Sequence, residues 1–177
     1  MTLPLVHLQV QVYRAHHPMW SFLPVSGAGA ARQGGRFNRP GVPCLYTSVS
    51  PETAWLEAQQ GFTFKAQPLT LCAYEVDCED VLDLSTDSAR ESAGVSLAEL
   101  GCSWELDRGR GKDPETWLLA DRWLEAGVAA IRVPSFAHRA DSKDVNVVFW
   151  HWSEETPHRV SVIDDFGRLP KNRLSWH

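Results

Sequence analysis

Side chains suited to binding an anion beside a carboxylate are concentrated between residues 34 and 57 of the chain. This stretch contains two arginines, Arg36 and Arg39, followed by Tyr46 and Glu57. Guanidinium groups bind phosphate oxygens in a fixed geometry, and a carboxylate can bond ribose hydroxyls or face a developing positive charge. The combination of residue types predicts a site for an anionic nucleotide next to a carboxylate.

A turn, a strand and a helix are the elements that would position these side chains. Residues 45–49 have a short β-like pattern, and Ser50 and Pro51 follow as a helix N-cap and first helical residue. We expect the helix to run to about Gln60 and to end at Gly61, because glycine commonly terminates helices.

Glu57 borders the helix face that we expect to be buried. Ala54 and Ala58 define a narrow close-packing stripe, since residues three or four positions apart share one side of a helix. The pattern therefore places the Glu57 carboxylate on or beside this stripe. A solvated position on the outer face is the alternative.

A third arginine, Arg14, lies at the end of the first predicted strand, and its side chain could face the core or the solvent. Apolar residues alternate with polar ones from Val6 to Tyr13, which is the pattern of a half-buried strand. If the strand continues, Arg14 leaves the sheet on the core side, where a cation is costly unless an anion or ligand meets it. If the strand ends at Tyr13, Arg14 turns to solvent.

The remaining regular patterns comprise several strands and one further long helix. The helix is predicted from Asp113, as N-cap with Pro114 behind it, to Gly127. Further strands are predicted at residues 69–76, 128–133, 145–152 and 159–163.

Three segments lack a regular pattern. Residues 16–35 contain prolines and a glycine–alanine run, and are predicted to form a loop that could act as a lid. Residues 79–111 are polar and irregular, apart from a short helical piece at 96–100. The tail at 164–177 is predicted to be frayed.

About six strands with two substantial helices, interrupting one another irregularly, favour an α+β fold with mixed, mainly antiparallel sheets. The length of 177 residues fits a single domain over residues 1–177, with a core at about 6–163. Hydrophobic residues make up 44% and charged residues 22%, the balance of a globular protein.

The net charge of −5 and the absence of a polybasic run disfavour nucleic-acid binding and favour a small anionic ligand. The four cysteines and the isolated histidines have no metal-ligand spacing, so we expect buried free thiols and no metal. The chain shows neither a signal-peptide pattern nor a segment long enough to cross a membrane, which favours the cytoplasm.

Several short motifs together resemble the RES domain, the toxin half of RES-Xre toxin–antitoxin pairs. The arginine, glutamate and serine of the family name match Arg14 or Arg36, Glu57 and Ser135. Phe37 stands where many members have tryptophan. The motifs that carry the resemblance are Tyr13-Arg14, residues 35–38, Pro40-Gly41, residues 45–48, Glu57, residues 133–135 and Asn146.

The resemblance implies a fold similar to ADP-ribosyltransferase toxins, an activity on NAD, and a helix-turn-helix antitoxin that neutralises the chain. The activity would be hydrolysis or phosphorolysis of NAD, or transfer of ADP-ribose to a protein target.

Cleavage of the nicotinamide–ribose bond passes through an oxocarbenium-like state that needs a nearby anion. On this hypothesis Arg14 and Arg36 hold the pyrophosphate, Tyr46 stacks on nicotinamide or ribose, and Glu57 stabilises the cation. The remaining two candidates, Ser135 and Asn146, orient the diphosphate or the amide.

Two other functions remain open at this point. An endoribonuclease toxin would use His, Arg and Glu residues, although the acidic pI of about 5.8 counts against it. A non-catalytic module that binds a nucleotide or a protein would bind ligand without forming product.

Overall fold

A computed structural model describes residues 3–59 and 67–174. Within these residues the strands are β1 (Leu5–His16), β2 (Leu45–Ser48), β3 (Thr70–Asp83), β4 (Ala130–Pro134), β5 (Val145–Phe149) and β6 (His158–Val162). The helices are a 3-10 turn (Pro18–Trp20), α1 (Ala28–Gln33), α2 (Pro51–Ala58), α3 (Asp87–Ala93), α4 (Leu97–Leu100), α5 (Trp104–Gly109) and α6 (Glu115–Glu125).

The six strands form one sheet in the order β1-β2-β5-β4-β3-β6, and β1 also pairs with β3. All pairings are antiparallel except the parallel pairing of β3 with β4. Because β1 contacts both β2 and β3, the strands connect in a closed ring with β6 outside it. The predicted α+β class with a mainly antiparallel sheet is confirmed.

The ladder between β1 and β3 is the longest in the sheet, running from the Leu5–Leu82 pair to the His16–Thr70 pair. Since β1 extends to His16, Arg14 lies within the strand, and the first of the two alternatives for this residue is correct. On the other side of β1, Tyr13 pairs with Ser48 and brings β2 beside the end of β1.

The predicted irregular region at 79–111 is wrong at its start, because β3 continues to Asp83. Asp80 has a positive φ of 58°, and the bulge it makes leaves the consecutive residues Val81 and Leu82 both fully buried. This break in alternation hides the strand from the sequence pattern. The rest of the region contains α3, α4 and α5, of which α4 corresponds to the predicted short helix at 96–100.

The predicted N-cap of the long helix is also wrong by one residue. Pro114 occupies the N-cap position of α6 with an extended backbone, and the helix begins at Glu115. The Asp113 carboxylate instead pairs with Arg39 at 2.9 Å. At the other end α6 stops at Glu125, before Gly127, whose positive φ of 81° suits a helix terminus.

The segment at 16–35 is more ordered than a loop, since it contains the 3-10 turn and α1. Its middle is fixed to the sheet: Trp152 Nε1 donates to Val25 O at 3.0 Å, and Tyr74 Oη donates to Pro24 O at 2.8 Å. A Cβ on Gly27 would lie 2.6 Å from the Trp152 ring, so glycine is needed for this close approach.

The core lies on both faces of the sheet and includes three fully or nearly buried cysteines, Cys44, Cys72 and Cys78. All four cysteines are free, as predicted, and burial raises the pKa of Cys78 to about 12. The strand predicted at 145–152 ends earlier, at Phe149. The predicted end of α2 at Gln60 and Gly61 lies outside the described residues.

Candidate functional site

A cavity of about 350 Å³ opens between α2, the end of β1, β2 and the turn that precedes β2. Arg14, Arg36, Tyr46, Glu57 and Asn146, which were predicted from the sequence, all line it. Its other lining residues include Gly35, Phe37, Ser48, Ala54, Trp104 and Phe136.

Arg14 reaches the cavity from β1 and is held by backbone carbonyls. Its Nη1 donates to Pro24 O at 3.1 Å and to Ser26 O at 3.0 Å, both in the segment that precedes α1. Burial lowers the pKa of Arg14, but arginine stays protonated in proteins, so the cavity retains the positive charge.

Arg36 lies in a tight turn closed by paired backbone hydrogen bonds between Gly35 and Asn38. Its Nη1 donates to Leu100 O at 3.2 Å and to Cys102 O at 2.8 Å. The guanidinium carbon also lies 4.8 Å from the centroid of the Phe136 ring. Arg36 is thus fixed by neutral groups at one side of the cavity.

The Tyr46 side chain lines the cavity, and its hydroxyl forms hydrogen bonds with the turn that contains Arg36. The hydroxyl accepts a hydrogen bond from Phe37 N at 2.9 Å and donates to Asn38 Oδ1 at 2.8 Å. Burial raises the pKa of Tyr46 well above its ordinary value. A ring contact with a ligand remains available to Tyr46, whereas its hydroxyl is engaged in shaping the turn.

Two tryptophans on other elements bind the same turn. Trp117 Nε1 on α6 donates to Gly35 O at 2.8 Å, and Trp150 Nε1 donates to Phe37 O at 2.9 Å.

Arg39 has a different environment from Arg36, since it pairs with Asp121 at 2.8 Å and with Asp113. The charge of Arg39 is therefore neutralised outside the cavity.

Glu57 is positioned by α2, whose start follows the predicted capping pattern. Ser50 Oγ accepts from Thr53 N at 3.1 Å, and Pro51 is the first helical residue. Glu57 is the last residue but one of the helix, and its Oε1 accepts hydrogen bonds from Ser135 Oγ at 2.6 Å and from Asn146 Nδ2, on β5, at 2.5 Å. Two donors thus fix one oxygen of the carboxylate.

Asn146 is held in turn by Ser48, which had no role in the sequence prediction. Asn146 lies on β5 between β2 and β4, and its β2 partner in the register is Ser48. Ser48 Oγ donates to Asn146 Oδ1 at 2.7 Å, which leaves Asn146 Nδ2 directed at Glu57. Because Tyr46 and Ser48 share one face of a strand, their spacing was a signal that could have found Ser48.

A second contact joins the start of α2 to Asp144, the residue directly before β5. Thr53 Oγ1 donates to Asp144 Oδ1 at 2.5 Å, and both side chains are buried. Hydrogen bonds from Thr53 and from the backbone of Asp141 lower the pKa of the Asp144 carboxyl. Helix α2 and strand β5, which carry Glu57 and Asn146, are therefore joined independently of those two residues.

The structure brings all six predicted site residues together. Five of them line the cavity, and the sixth, Ser135, contacts Glu57 from outside that lining. It also adds residues that the sequence did not assign, namely Ser48, Trp104 and Phe136. Two guanidinium groups and a doubly hydrogen-bonded carboxylate in one cavity can hold an anionic ligand and face a cationic centre.

Within residues 3–59 and 67–174, no three His, Cys, Asp or Glu side chains are grouped as metal ligands would be. No helix in the described part of the chain has the length and apolar character to cross a membrane.

Fold and cavity together define an α+β domain with a positively charged pocket beside an oriented carboxylate. The RES domain family model matches residues 11–176, and the chain therefore belongs to the RES domain family.

Three curated relatives carry the name NAD(+) phosphorylase MbcT, one from Mycobacterium bovis and two from strains of Mycobacterium tuberculosis. Each is 34% identical over 90 residues, which cover 45% of this chain and 48% of the relative. The aligned region thus spans about half the length of these relatives. A solved structure, the M. tuberculosis MbcT-MbcA toxin-antitoxin complex, matches with a TM-score of 0.60 and 21% identity, covering 90% of this chain and 84% of that one.

Proposed function

We propose that this chain is the toxin of a toxin–antitoxin pair and consumes NAD by cleaving its nicotinamide–ribose bond. The family, the relatives named NAD(+) phosphorylase and the charge pattern of the cavity support this proposal. The observation that carries it is the Glu57 carboxylate, oriented by Ser135 and Asn146 in the cavity that Arg14 and Arg36 line.

Departure of nicotinamide leaves positive charge on the ribose, and an oriented anion stabilises that charge most when it is fixed beforehand. Glu57 supplies the anion, with Ser135 and Asn146 holding it so that it need not reorganise. Arg14 and Arg36 bind the pyrophosphate, and the ring of Tyr46 packs against the nicotinamide or its ribose.

The acceptor is inorganic phosphate in this proposal, because the relatives are named phosphorylases. A phosphate oxygen forms the new bond to the anomeric carbon, and nicotinamide leaves with the electron pair of the broken bond. The products are nicotinamide and ADP-ribose phosphorylated at that carbon. Water as acceptor would make the chain a glycohydrolase, and a protein side chain would make it an ADP-ribosyltransferase.

An antitoxin partner of the Xre helix-turn-helix type follows from the resemblance, and the solved neighbour is itself a toxin–antitoxin complex. Because NAD is an intracellular cofactor, the proposal places the activity in the cytoplasm.

Replacement of Glu57 with glutamine tests the proposed reaction. We expect Glu57→Gln to lower nicotinamide release at least a hundredfold, since about 3 kcal/mol of transition-state stabilisation corresponds to that factor. The melting temperature should change by no more than about 3 °C. Glu52→Gln is the matched control, because Glu52 lies on the exposed side of the same helix.

The assay follows nicotinamide release from NAD by the purified protein, with and without phosphate, beside a label-transfer assay in lysate. Neither release nor transfer by the wild-type protein would refute the proposal. RNA cleavage without NAD would instead support the endoribonuclease, and a raised melting temperature with NAD but no product would support a non-catalytic module.

A further inference from the structure

Trp104, the first residue of α5, lines the cavity. Two other tryptophans beside the site, Trp117 and Trp150, donate Nε1 to backbone carbonyls of the turn. Trp104 Nε1 makes no hydrogen bond in the described part of the chain. Its ring is only partly buried and is therefore available to a ligand.

The wall that carries Trp104 is held in place by Arg36. The two carbonyls that Arg36 binds, those of Leu100 and Cys102, flank Gly101 at the end of α4. A Cβ on Gly101 would lie 3.1 Å from a ring carbon of Phe136, so the backbone approaches this ring closely. The segment that leads to Trp104 is thus fixed between the Arg36 guanidinium and the Phe136 ring.

The proposed reaction decides which ring of NAD is left for Trp104. Arg36 places a positive charge beside the segment that leads to Trp104, and its two carbonyl partners are neutral, while the carboxylates of Glu57 and Glu105 offset part of this charge. The nicotinamide ring of NAD is cationic and is better placed beside the Glu57 carboxylate. Adenine is neutral, stacks on aromatic rings, and is joined to phosphates that suit a guanidinium.

We propose that Trp104 stacks on the adenine base of NAD and that Arg36 positions this residue as well as binding phosphate. The proposal rests on the proposed function for the identity of the ligand. It assigns recognition of the adenine half to α5 and its preceding segment, and the cleavage step to Glu57.

Isothermal titration calorimetry with two probes tests the assignment: ADP-ribose, which contains adenine, and nicotinamide mononucleotide, which lacks it. Base–aromatic stacking predicts that Trp104→Ala raises the Kd for ADP-ribose about tenfold or more. Trp104→Phe should retain most of the affinity, since it keeps an aromatic face. The Kd for nicotinamide mononucleotide should change less than twofold.

Trp20→Ala is the matched control, because Trp20 is 39% exposed and does not line the cavity. Equal weakening of both probes by Trp104→Ala, unchanged ADP-ribose binding, or no ADP-ribose binding by the wild-type protein would each overturn the assignment. Binding of ADP-ribose that depends on Trp104, without any nicotinamide release from NAD, would refute the cleavage reaction and leave the adenine site standing.

Discussion

Replacing Ser48 with alanine removes the hydroxyl that orients the Asn146 amide toward Glu57. Ser48 is 2% exposed, and its Oγ donates to Asn146 Oδ1 at 2.7 Å. Without this donor, the acceptor Oδ1 loses its partner and the amide can rotate, which would place an oxygen against the Glu57 carboxylate. The productive orientation then loses the energy that had favoured it.

The size of the effect follows from the hydrogen bond that is lost. Leaving a buried polar group without its partner costs about 1 to 3 kcal/mol. If the productive orientation of the Asn146 amide loses this much stabilisation, kcat for nicotinamide release should decrease about 5- to 150-fold. At about 2 to 4 °C per kcal/mol, the melting temperature should fall by about 2 to 12 °C. KM should change less than about twofold, because Ser48 contributes to orientation more than to binding.

Ser21→Ala separates the loss of a buried hydrogen bond from the loss of orientation. Ser21 is 3% exposed, and its Oγ donates to Thr70 Oγ1 at 2.7 Å, away from the cavity. We expect a similar decrease in melting temperature for Ser21→Ala and an unchanged kcat. If Ser48→Ala loses stability to the same extent but keeps the wild-type kcat, Ser48 has only a structural role and the idea that it orients Asn146 toward Glu57 is refuted.

Two further predictions concern the turn and the first strand. Gly35→Ala should lower the free energy of unfolding by about 1 to 3 kcal/mol, because the new Cβ would lie 2.6 Å from Tyr46 Oη. Gly109→Ala is the control and should leave the free energy of unfolding unchanged, because a Cβ there would have no atom within 4 Å. Equal denaturation midpoints for the two variants would contradict this. Burial, with the charges of Arg14 and His17, lowers the pKa of His16 to about 4, so the unfolded chain binds the extra proton between about pH 6.5 and 4 and stability falls as the pH is lowered through this window. Thermal melts should show this slope in the wild-type protein and a flatter one in His16→Gln, and parallel slopes would show that His16 is not the cause.

Local signals in the sequence were sufficient to predict the start of α2, the helix that carries the Glu57 carboxylate. Ser50 and Pro51 specify the start of α2 through backbone geometry and a side-chain cap, and both contacts span only three residues. The alternation in β1 put Arg14 on the inward face only if the strand continued past Tyr13, and the pairing of β1 with β3 shows that it does. Such features are decided by neighbouring residues, so periodicity and capping rules can predict them.

Contacts between distant segments decided the features that the sequence did not predict. Ser48 and Asn146 are 98 residues apart, and Arg36 is 66 residues from the carbonyl of Cys102. Their partners depend on the order of strands in the sheet and on where α4 ends. The continuation of β3 beyond Val76 was missed for a local reason, since the positive φ of Asp80 interrupts the alternation.

The partners of the three arginines explain why two of them suit an anionic ligand and the third does not. Arg39 is paired with two carboxylates, so its charge is already balanced. Arg14 and Arg36 each donate Nη1 to two backbone carbonyls, and neither has a carboxylate ion pair within the described residues. Carbonyls fix a guanidinium without neutralising it, so the cavity keeps two oriented positive charges before any ligand arrives. This preorganisation is what binding of a diphosphate requires, because little of the attraction is then lost to rearrangement.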